Sequence, residues 1–162
     1  MNYKVIYECN HYIPNVFCLI PVVIMSIGIH FLKNLKNPYL QKPKEALFFG
    51  SIFAIVGLIV TIIMILTIIS NYKNIYFPYK NGKYKEVEGE VHNLYNVEFM
   101  GNGDDQFIID GINFRVGAGT FSPGYKKNAA NGGVFTKNEM KVKIRYIRYN
   151  NENYIMKIET EV

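Results

Sequence analysis

The most apolar part of the chain is residues 46–70, which read ALFFGSIFAIVGLIVTIIMILTIIS and contain neither a charged residue nor a proline. A second apolar run, residues 13–32, reads IPNVFCLIPVVIMSIGIHFL and contains no Asp, Glu, Lys or Arg. A helix needs about 20 apolar residues to cross the hydrocarbon core of a bilayer. The pattern therefore predicts two transmembrane helices, 13–32 and 46–70.

The polar segments around these runs predict a helical hairpin. A tail of residues 1–12 precedes the first helix, and a basic loop, residues 33–45, joins the two helices with four lysines and two prolines. A short connection favours antiparallel neighbours. A cleaved signal peptide is the alternative for the first run, but that run is long and no small-x-small cleavage site follows it. We expect Pro14 in the first helical turn and a kink at Pro21.

Small residues recur along the second run at spacings of 4, 3 and 4: Gly50, Ala54, Gly57 and Thr61. Small side chains on one helix face let another helix approach closely. We expect this stripe to be a packing surface, and the sequence leaves open whether its partner is the first helix or a second copy of the chain.

The remainder, residues 85–162, shows the two-residue alternation of strands. Residues 85–91 and 141–148 alternate apolar and charged positions, and 154–160 follows a turn at 150–153. Asp110-Gly111 interrupts the run 106–116 with residues suited to a type I′ turn. Five or six short strands predict an all-β domain. We expect a small OB-like or SH3-like barrel, with a small β-sandwich as the alternative.

The linker between the second helix and this domain, residues 71–84, is rich in tyrosine and lysine. Tyr72, Tyr76, Phe77 and Tyr79 stand where an aromatic belt at a membrane surface would be. We therefore expect an interfacial belt and a tether.

The charge of the chain is concentrated near the predicted membrane surface. The net charge is +5, and residues 71–162 contribute only +2 of it, from 13 basic and 11 acidic residues. Such modest basicity suits lipid headgroups and argues against a duplex nucleic acid as partner.

We expect a bacterial inner (cell) membrane protein with several spans. Weighting the lysines of the short loop places that loop in the cytoplasm and both termini outside. The basic residues after the second helix favour the opposite orientation, so the side of the β domain stays open, with extracytoplasmic as the expectation.

Catalytic chemistry has little support. The three histidines, His11, His30 and His92, form no metal-ligand spacing with one another or with Cys9 and Cys18. No nucleophile elbow or phosphate-binding loop occurs, and Asp104-Asp105 is expected to be a solvated turn. We expect no enzyme, no catalytic residue, no metal and no cofactor.

Two loops do not fit strands, residues 100–106 and the glycine-rich residues 117–136. The second is long for a structureless connection, and its backbone N–H groups beside two lysines suggest an anion nest. The candidate loop residues are Ser122, Gly124, Tyr125, Lys126, Lys127, Asn128, Gly132 and Gly133, with Tyr125 as a stacking ring. A basic face of Arg115, Lys143 and Arg145 would lie on the same side. The alternative is an exposed loop over a solvated sheet face.

Four segments carry a family resemblance: Tyr84 to Asn93 (YKEVEGEVHN), Phe107 to Phe114 (FIIDGINF), Ser122 to Tyr125 (SPGY) and Gly132-Gly133. The chain resembles, over about residues 84–160, an uncharacterised family of small bacterial two-span membrane proteins with a C-terminal small β-barrel-like domain. In that pattern a His precedes the Gly-Gly pair, whereas this chain has Asn131. The resemblance implies a fold and a membrane tether and no reaction.

Two functions follow as hypotheses. The first is a non-enzymatic, membrane-anchored binding or interaction module, of the immunity type or an envelope accessory protein, with a homo-oligomer or another protein as partner. The second is a ligand-gated membrane effector whose β domain binds a small anionic ligand, a nucleotide second messenger in antiviral defence. The second requires a cytoplasmic β domain.

Overall fold

The computed structural model describes residues 2–14, 16–36, 42–96, 103–117 and 121–162, with Lys36 described in its backbone alone. Parts of three predicted loops lie outside the described residues. They are residues 37–41 of the basic loop, 100–102 of the first irregular loop and 118–120 of the second. The chain divides into two units, one formed by residues 14–69 and the other by residues 1–13 together with 70–162.

The helical unit contains the two apolar helices. One turn of 3-10 helix, Val16–Leu19, leads into α1, Ile20–Lys33, and α2 runs from Pro43 to Asn71. Pro21 therefore lies in the first turn of α1, where its missing N–H removes no internal hydrogen bond. The chain changes from 3-10 to α geometry beside this proline. Pro14, which we expected in the first helical turn, lies outside the helix.

By length and composition, two helical segments could cross a membrane: Val16–Lys33, which includes the 3-10 turn before α1, and Pro43–Lys80, which continues beyond α2. Only 11% and 6% of their most apolar stretches are buried, whereas the core helix of a soluble domain is mostly buried. The leucine, isoleucine, valine and phenylalanine side chains of α2 are mostly exposed.

The two helices pack through their glycines. A Cβ atom at Gly57 would lie 2.6 Å from the backbone nitrogen of Met25, and one at Gly50 would lie 3.0 Å from the Cβ of Phe31. A Cβ atom at Gly28 would overlap the backbone of Ala54. The stripe therefore faces α1, and Thr61 lies one turn beyond Gly57, donating from Oγ1 to the Gly57 carbonyl at 2.7 Å.

The β unit consists of two antiparallel sheets. The first has the order β1-β7-β6-β2, and the second the order β3-β4-β5. The strands are β1 Tyr3–Glu8, β2 Lys85–Glu90, β3 His92–Tyr95, β4 Asp105–Ile109, β5 Ile112–Val116, β6 Lys141–Tyr149 and β7 Glu152–Glu161. The chain crosses from one sheet to the other at Val91, whose N–H donates to Met140 O at 3.0 Å.

Several sequence predictions for this unit are confirmed. The Asp110-Gly111 turn has φ values of 48° and 72° and joins β4 to β5. Val142, Ile144 and Tyr146 are buried, and Lys141, Lys143 and Arg145 alternate with them. The buried faces of both sheets share one core that includes Phe107, Phe114, Phe135 and Ile158.

The N-terminal tail is part of the β unit, which the sequence did not indicate. β1 pairs with β7 from Tyr3 opposite Glu161 to Glu8 opposite Lys157, with a register shift between Val5 and Tyr7. The all-β domain predicted from 85–162 therefore contains a strand from the other end of the chain.

The linker 71–84 also differs from the expected tether. A π-helical turn, Tyr72–Tyr76, and a short helix, α3 Phe77–Lys80, follow α2 without a break. Ile75 and Tyr79 are buried in a second cluster with Cys9, Ile147 and Met156. Tyr79 is therefore a core residue rather than part of an exposed belt, while Tyr72 and Phe77 are exposed.

Candidate functional site

The loop proposed as an anion nest is folded into the β domain. Ser122 is 9% exposed, Asn128 is 1% exposed, and the Tyr125 ring is packed in the core. Tyr125 Oη accepts the N–H of Val134 at 2.7 Å. The expected stacking ring is thus mostly buried, and its hydroxyl closes the loop on itself.

The polar groups of this loop bind one another and a neighbouring strand. The N–H of Ala129 donates to Asp105 Oδ2 at 2.5 Å, and Asn128 Oδ1 accepts the N–H of Asn131 at 3.1 Å. The N–H of Gly133 donates to the carbonyl of Asn128 at 2.8 Å. One N–H group of the loop, that of Ala129, therefore already faces an anion, the carboxylate of Asp105, and the others named here are taken up by Asn128.

The remaining loop candidates are two glycines and two lysines. Gly124 has φ +107° beside Ile155, and Gly132 ends the short 3-10 turn Ala129–Asn131 with φ +75°. Lys127 is exposed and Lys126 is half-buried. The expectation that Asp104-Asp105 is a solvated turn was wrong, because Asp105 is 1% exposed.

The proposed basic face is divided between the two sheets. Arg115 lies on β5 and forms an ion pair with Asp104. Lys143 and Arg145 lie on β6 and bind Glu86 of β2 at 2.9 Å and 2.8 Å. The three cations do not share a surface, and each has an acidic partner.

These contacts hold Glu86 in its charged form. Hydrogen bonds from Arg145 and then from Lys143 lower the pKa of the Glu86 carboxyl below its usual 4.5. The reciprocal hydrogen bond to Glu86 raises the pKa of Lys143.

A cleft that the sequence did not indicate lies along the second sheet. Its volume is about 770 Å³, within the roughly 300–1,000 Å³ range of small-molecule sites. The described lining residues come from β3, β4 and β5 and the residues directly beside β4 and β5, from the 122–125 segment, and from the start of β7 with the residue before it. They are Asn93, Tyr95, Asp104, Gln106, Phe107, Ile108, Asn113, Phe114, Arg115, Gly117, Ser122, Pro123, Tyr125, Asn151, Glu152, Asn153, Tyr154 and Ile155.

The strand register places three side chains of this cleft in one row. Tyr95 of β3 is opposite Gln106 of β4, and Gln106 is opposite Arg115 of β5. All three are exposed, and Tyr95 is the most exposed aromatic residue there at 66%. The row presents a ring, an amide and an ion-paired guanidinium side by side.

The far wall of the cleft is formed by the start of β7. Asn153 Nδ2 donates to the carbonyl of Asn113 at 2.9 Å, and Tyr154 Oη donates to Glu152 Oε2 at 3.0 Å. Burial, followed by this bond to Glu152, raises the pKa of Tyr154 to about 12. The phenol is therefore a neutral donor at physiological pH.

Comparison of the chain with protein-family models, with curated proteins and with solved structures found no match. Among the described residues, no group of three His, Cys, Asp or Glu side chains is placed to hold a metal ion.

One strand pairing that lines the cleft could have been predicted from the sequence. The two-residue turn at Asp110-Gly111 dictates that Gln106 lies opposite Arg115. The addition of Tyr95 to that row depends on the pairing of β3 with β4, which includes a register shift, and no local pattern encodes it.

Proposed function

We propose that this protein is a non-enzymatic binding module anchored in a bacterial cell membrane by its two helices. The support for anchorage is the exposure of both apolar helices, since a helix that is apolar on all sides needs an apolar solvent. The close approach of α1 and α2 at Gly28, Gly50 and Gly57 gives the hairpin a packing surface of its own.

The pairing of β1 with β7 supports a hairpin that crosses the membrane twice. Residues 3–8 precede α1 and residues 152–161 follow α2, yet they form adjacent strands. Two crossings return the chain to its original side, so both ends of the chain and the whole β domain lie on one side of the membrane. We keep the extracytoplasmic side as the proposed location.

We further infer that the two sheets form a small, partly open barrel of the OB-like or SH3-like type. Two observations support it over a sandwich. The chain passes from β2 to β3 with only Val91 between them, and the Asn153–Asn113 hydrogen bond links β7 to β5 across the other side.

The observation that carries the binding function is the cleft with its row of Tyr95, Gln106 and Arg115. An exposed ring and polar groups beside an apolar floor are what small-ligand sites offer. The ligand-gated alternative placed its anion in the glycine-rich loop beside Lys126 and Lys127, and in that loop Asp105 already receives the N–H of Ala129. The proposal therefore assigns binding to the cleft.

Anchorage can be tested with Phe121. This residue contacts Tyr12, just before the helical unit begins, and Asn71, just after that unit ends. The Phe121 carbonyl accepts hydrogen bonds from Tyr12 Oη at 3.2 Å and from Asn71 Nδ2 at 3.3 Å. The Phe121 ring is 38% exposed. In the proposed arrangement it lies at the headgroup level.

The chain contains no tryptophan, so Phe121→Trp and Tyr95→Trp are single-tryptophan reporters. In liposomes of the full chain, brominated lipid should quench the fluorescence of Phe121→Trp and spare that of Tyr95→Trp. Equal quenching of the two, or none at either position, would remove the proposed anchorage.

The binding function itself is tested by thermal denaturation of the full chain in detergent with sugars, peptides, nucleotides and lipid headgroups. At least one class should raise the Tm of the parent chain and have less effect on Gln106→Ala. If no class stabilises the parent, the cleft is not a binding site.

A further inference from the structure

We infer that the cleft binds a neutral, hydroxyl-rich ligand, namely a short oligosaccharide. This inference rests on the proposed binding function and names the class of ligand.

Charge is the first ground for this inference. The described lining residues include one guanidinium, on Arg115, and two carboxylates, on Asp104 and Glu152. Arg115 is paired with Asp104, and Glu152 accepts the Tyr154 hydroxyl. The described wall thus offers an anion no unneutralised cation, so phosphates, nucleotides and acidic sugars are poorly suited to it.

Hydrogen-bonding capacity is the second ground. Five side-chain amides line the cleft: Asn93, Gln106, Asn113, Asn151 and Asn153. An amide both donates and accepts, as does each hydroxyl of a sugar, so amides pair with vicinal hydroxyls without a net charge. In addition, Asn153 Oδ1 is buried without a hydrogen-bond partner among the described residues, and a donor held at this wall would satisfy it.

The shape of the row is the third ground. Tyr95 presents an exposed ring next to the amide of Gln106. An aromatic ring is apolar on its face and, in tyrosine, polar at its tip. A pyranose has the matching pair of surfaces, with C–H groups on one face and hydroxyl groups around its edge.

A peptide is the main competing occupant, and the edge of β5 argues against it. Extended peptides bind sheets by adding a strand through main-chain hydrogen bonds. At the β5 edge the carbonyl of Asn113 is already bound by Asn153 Nδ2 at 2.9 Å. A strand added there would have to displace this contact.

The test uses the full chain in detergent and isothermal titration calorimetry. The probes are neutral trisaccharides of glucose, galactose and N-acetylglucosamine, a sialylated trisaccharide, a cyclic dinucleotide, inorganic phosphate and an extended neutral heptapeptide. We expect at least one neutral trisaccharide to bind, and the anions and the peptide to bind at least tenfold more weakly.

Variants then separate the cleft from the rest of the surface. Tyr95→Ala should weaken trisaccharide binding about tenfold, whereas Tyr95→Phe should stay near the parent value, because it keeps the ring. Gln106→Ala should weaken binding by roughly fivefold. Lys85→Ala, an exposed change on β2 of the other sheet, should leave binding unchanged.

Three kinds of result would overturn the inference. If the peptide or an anion binds the cleft and no neutral sugar does, the ligand class is wrong while the binding function stands. If a sugar binds equally to the parent and to Tyr95→Ala and Gln106→Ala, its site is elsewhere. If none of the probes binds, the oligosaccharide assignment is also withdrawn.

Discussion

At the scale of single residues, the glycine-rich loop is ordered by a few polar contacts and one backbone conformation. Asp105 binds the N–H of Ala129, and Tyr125 has both its hydroxyl and its backbone N–H engaged. Gly124 precedes Tyr125 with φ +107°, and a Cβ atom there would lie 2.7 Å from Ile155 O. The glycine lets the loop lie directly against β7.

We predict that Gly124→Ala lowers the free energy of unfolding by about 3 kcal/mol, since both the positive φ and the contact with Ile155 oppose a methyl group. The matched control is Gly82→Ala, with φ +73° and nothing within 4 Å of the added atom. It should cost about 1 kcal/mol. Denaturant unfolding of the full chain in detergent measures both. Equal losses would show that the close approach to Ile155 contributes nothing.

Glu86 provides a prediction about pH. Its pKa is lower in the folded chain than its usual 4.5, so its ion pairs stabilise the fold fully above about pH 4.5. This contribution is lost as the pH falls through the folded-state pKa. Glu86→Gln should therefore reduce stability at pH 7 and flatten the loss of stability below pH 4.5.

Thermal denaturation between pH 3 and pH 7 measures this effect. Glu139→Gln is the control, since Glu139 is exposed, and it should retain the parent's pH profile. A Glu86→Gln profile parallel to that of the parent would contradict the role of these ion pairs.

At the scale of elements, β1 is the unexpected strand. Its residue Tyr7 packs edge-on against Tyr125, with ring centroids 5.0 Å apart. The neighbouring Val5 is 44% exposed. The Tyr7 side chain therefore packs against the domain core, whereas the Val5 side chain does not.

Accordingly, Tyr7→Ala should destabilise the β domain by about 2 kcal/mol through the lost ring packing. Val5→Ala should cost less than about 0.5 kcal/mol, as exposed substitutions usually do. Chemical denaturation of the full chain, followed by circular dichroism of the β signal, compares the two. Similar losses would mean that β1 is held by its backbone pairing alone.

At the scale of the whole molecule, the pairing of the first and last strands constrains topology. Asn2 and Val162 lie at adjacent strand ends, since the Val162 N–H donates to Asn2 O at 3.1 Å. Asn2→Cys and Val162→Cys, each in a Cys9→Ser, Cys18→Ser background, should react with a membrane-impermeant thiol reagent from the same side of sealed vesicles. Labelling from opposite sides would contradict two crossings.

Much of the fold could be predicted from local pattern. The apolar runs indicated both helices, and the observed α2, Pro43–Asn71, extends the predicted 46–70 by only a few residues. The first helix was predicted over 13–32, but its α-helical part begins only at Ile20, after a 3-10 turn. The alternation in 141–148 identified the buried face of β6, and Asp110-Gly111 identified the β4–β5 hairpin. The small residues at 50, 54 and 57 marked the helix face that meets α1.

The candidate site was much less predictable. The glycine and lysine content of 117–136 suggested an anion site. Composition alone does not reveal that Asp105, on a strand outside this loop, supplies the anion. Arg115, Lys143 and Arg145 looked like one cationic face until the pairing of two separate sheets gave each an acidic partner.

By itself, the sequence determined the features that depend on neighbours along the chain: the presence of two apolar helices, strand alternation, the tight turn and the small-residue stripe. Only the tertiary structure decided that residues 3–8 complete the first sheet, that Ile75 and Tyr79 are buried, and that Tyr95 joins Gln106 and Arg115 in a cleft. The physical reason is that β1 and β7, like Ile75 and the residues that bury it, are far apart in the chain, and that the position of Tyr95 depends on a register shift between β3 and β4. Their partners are chosen by the shared core and by strand register rather than by local preference.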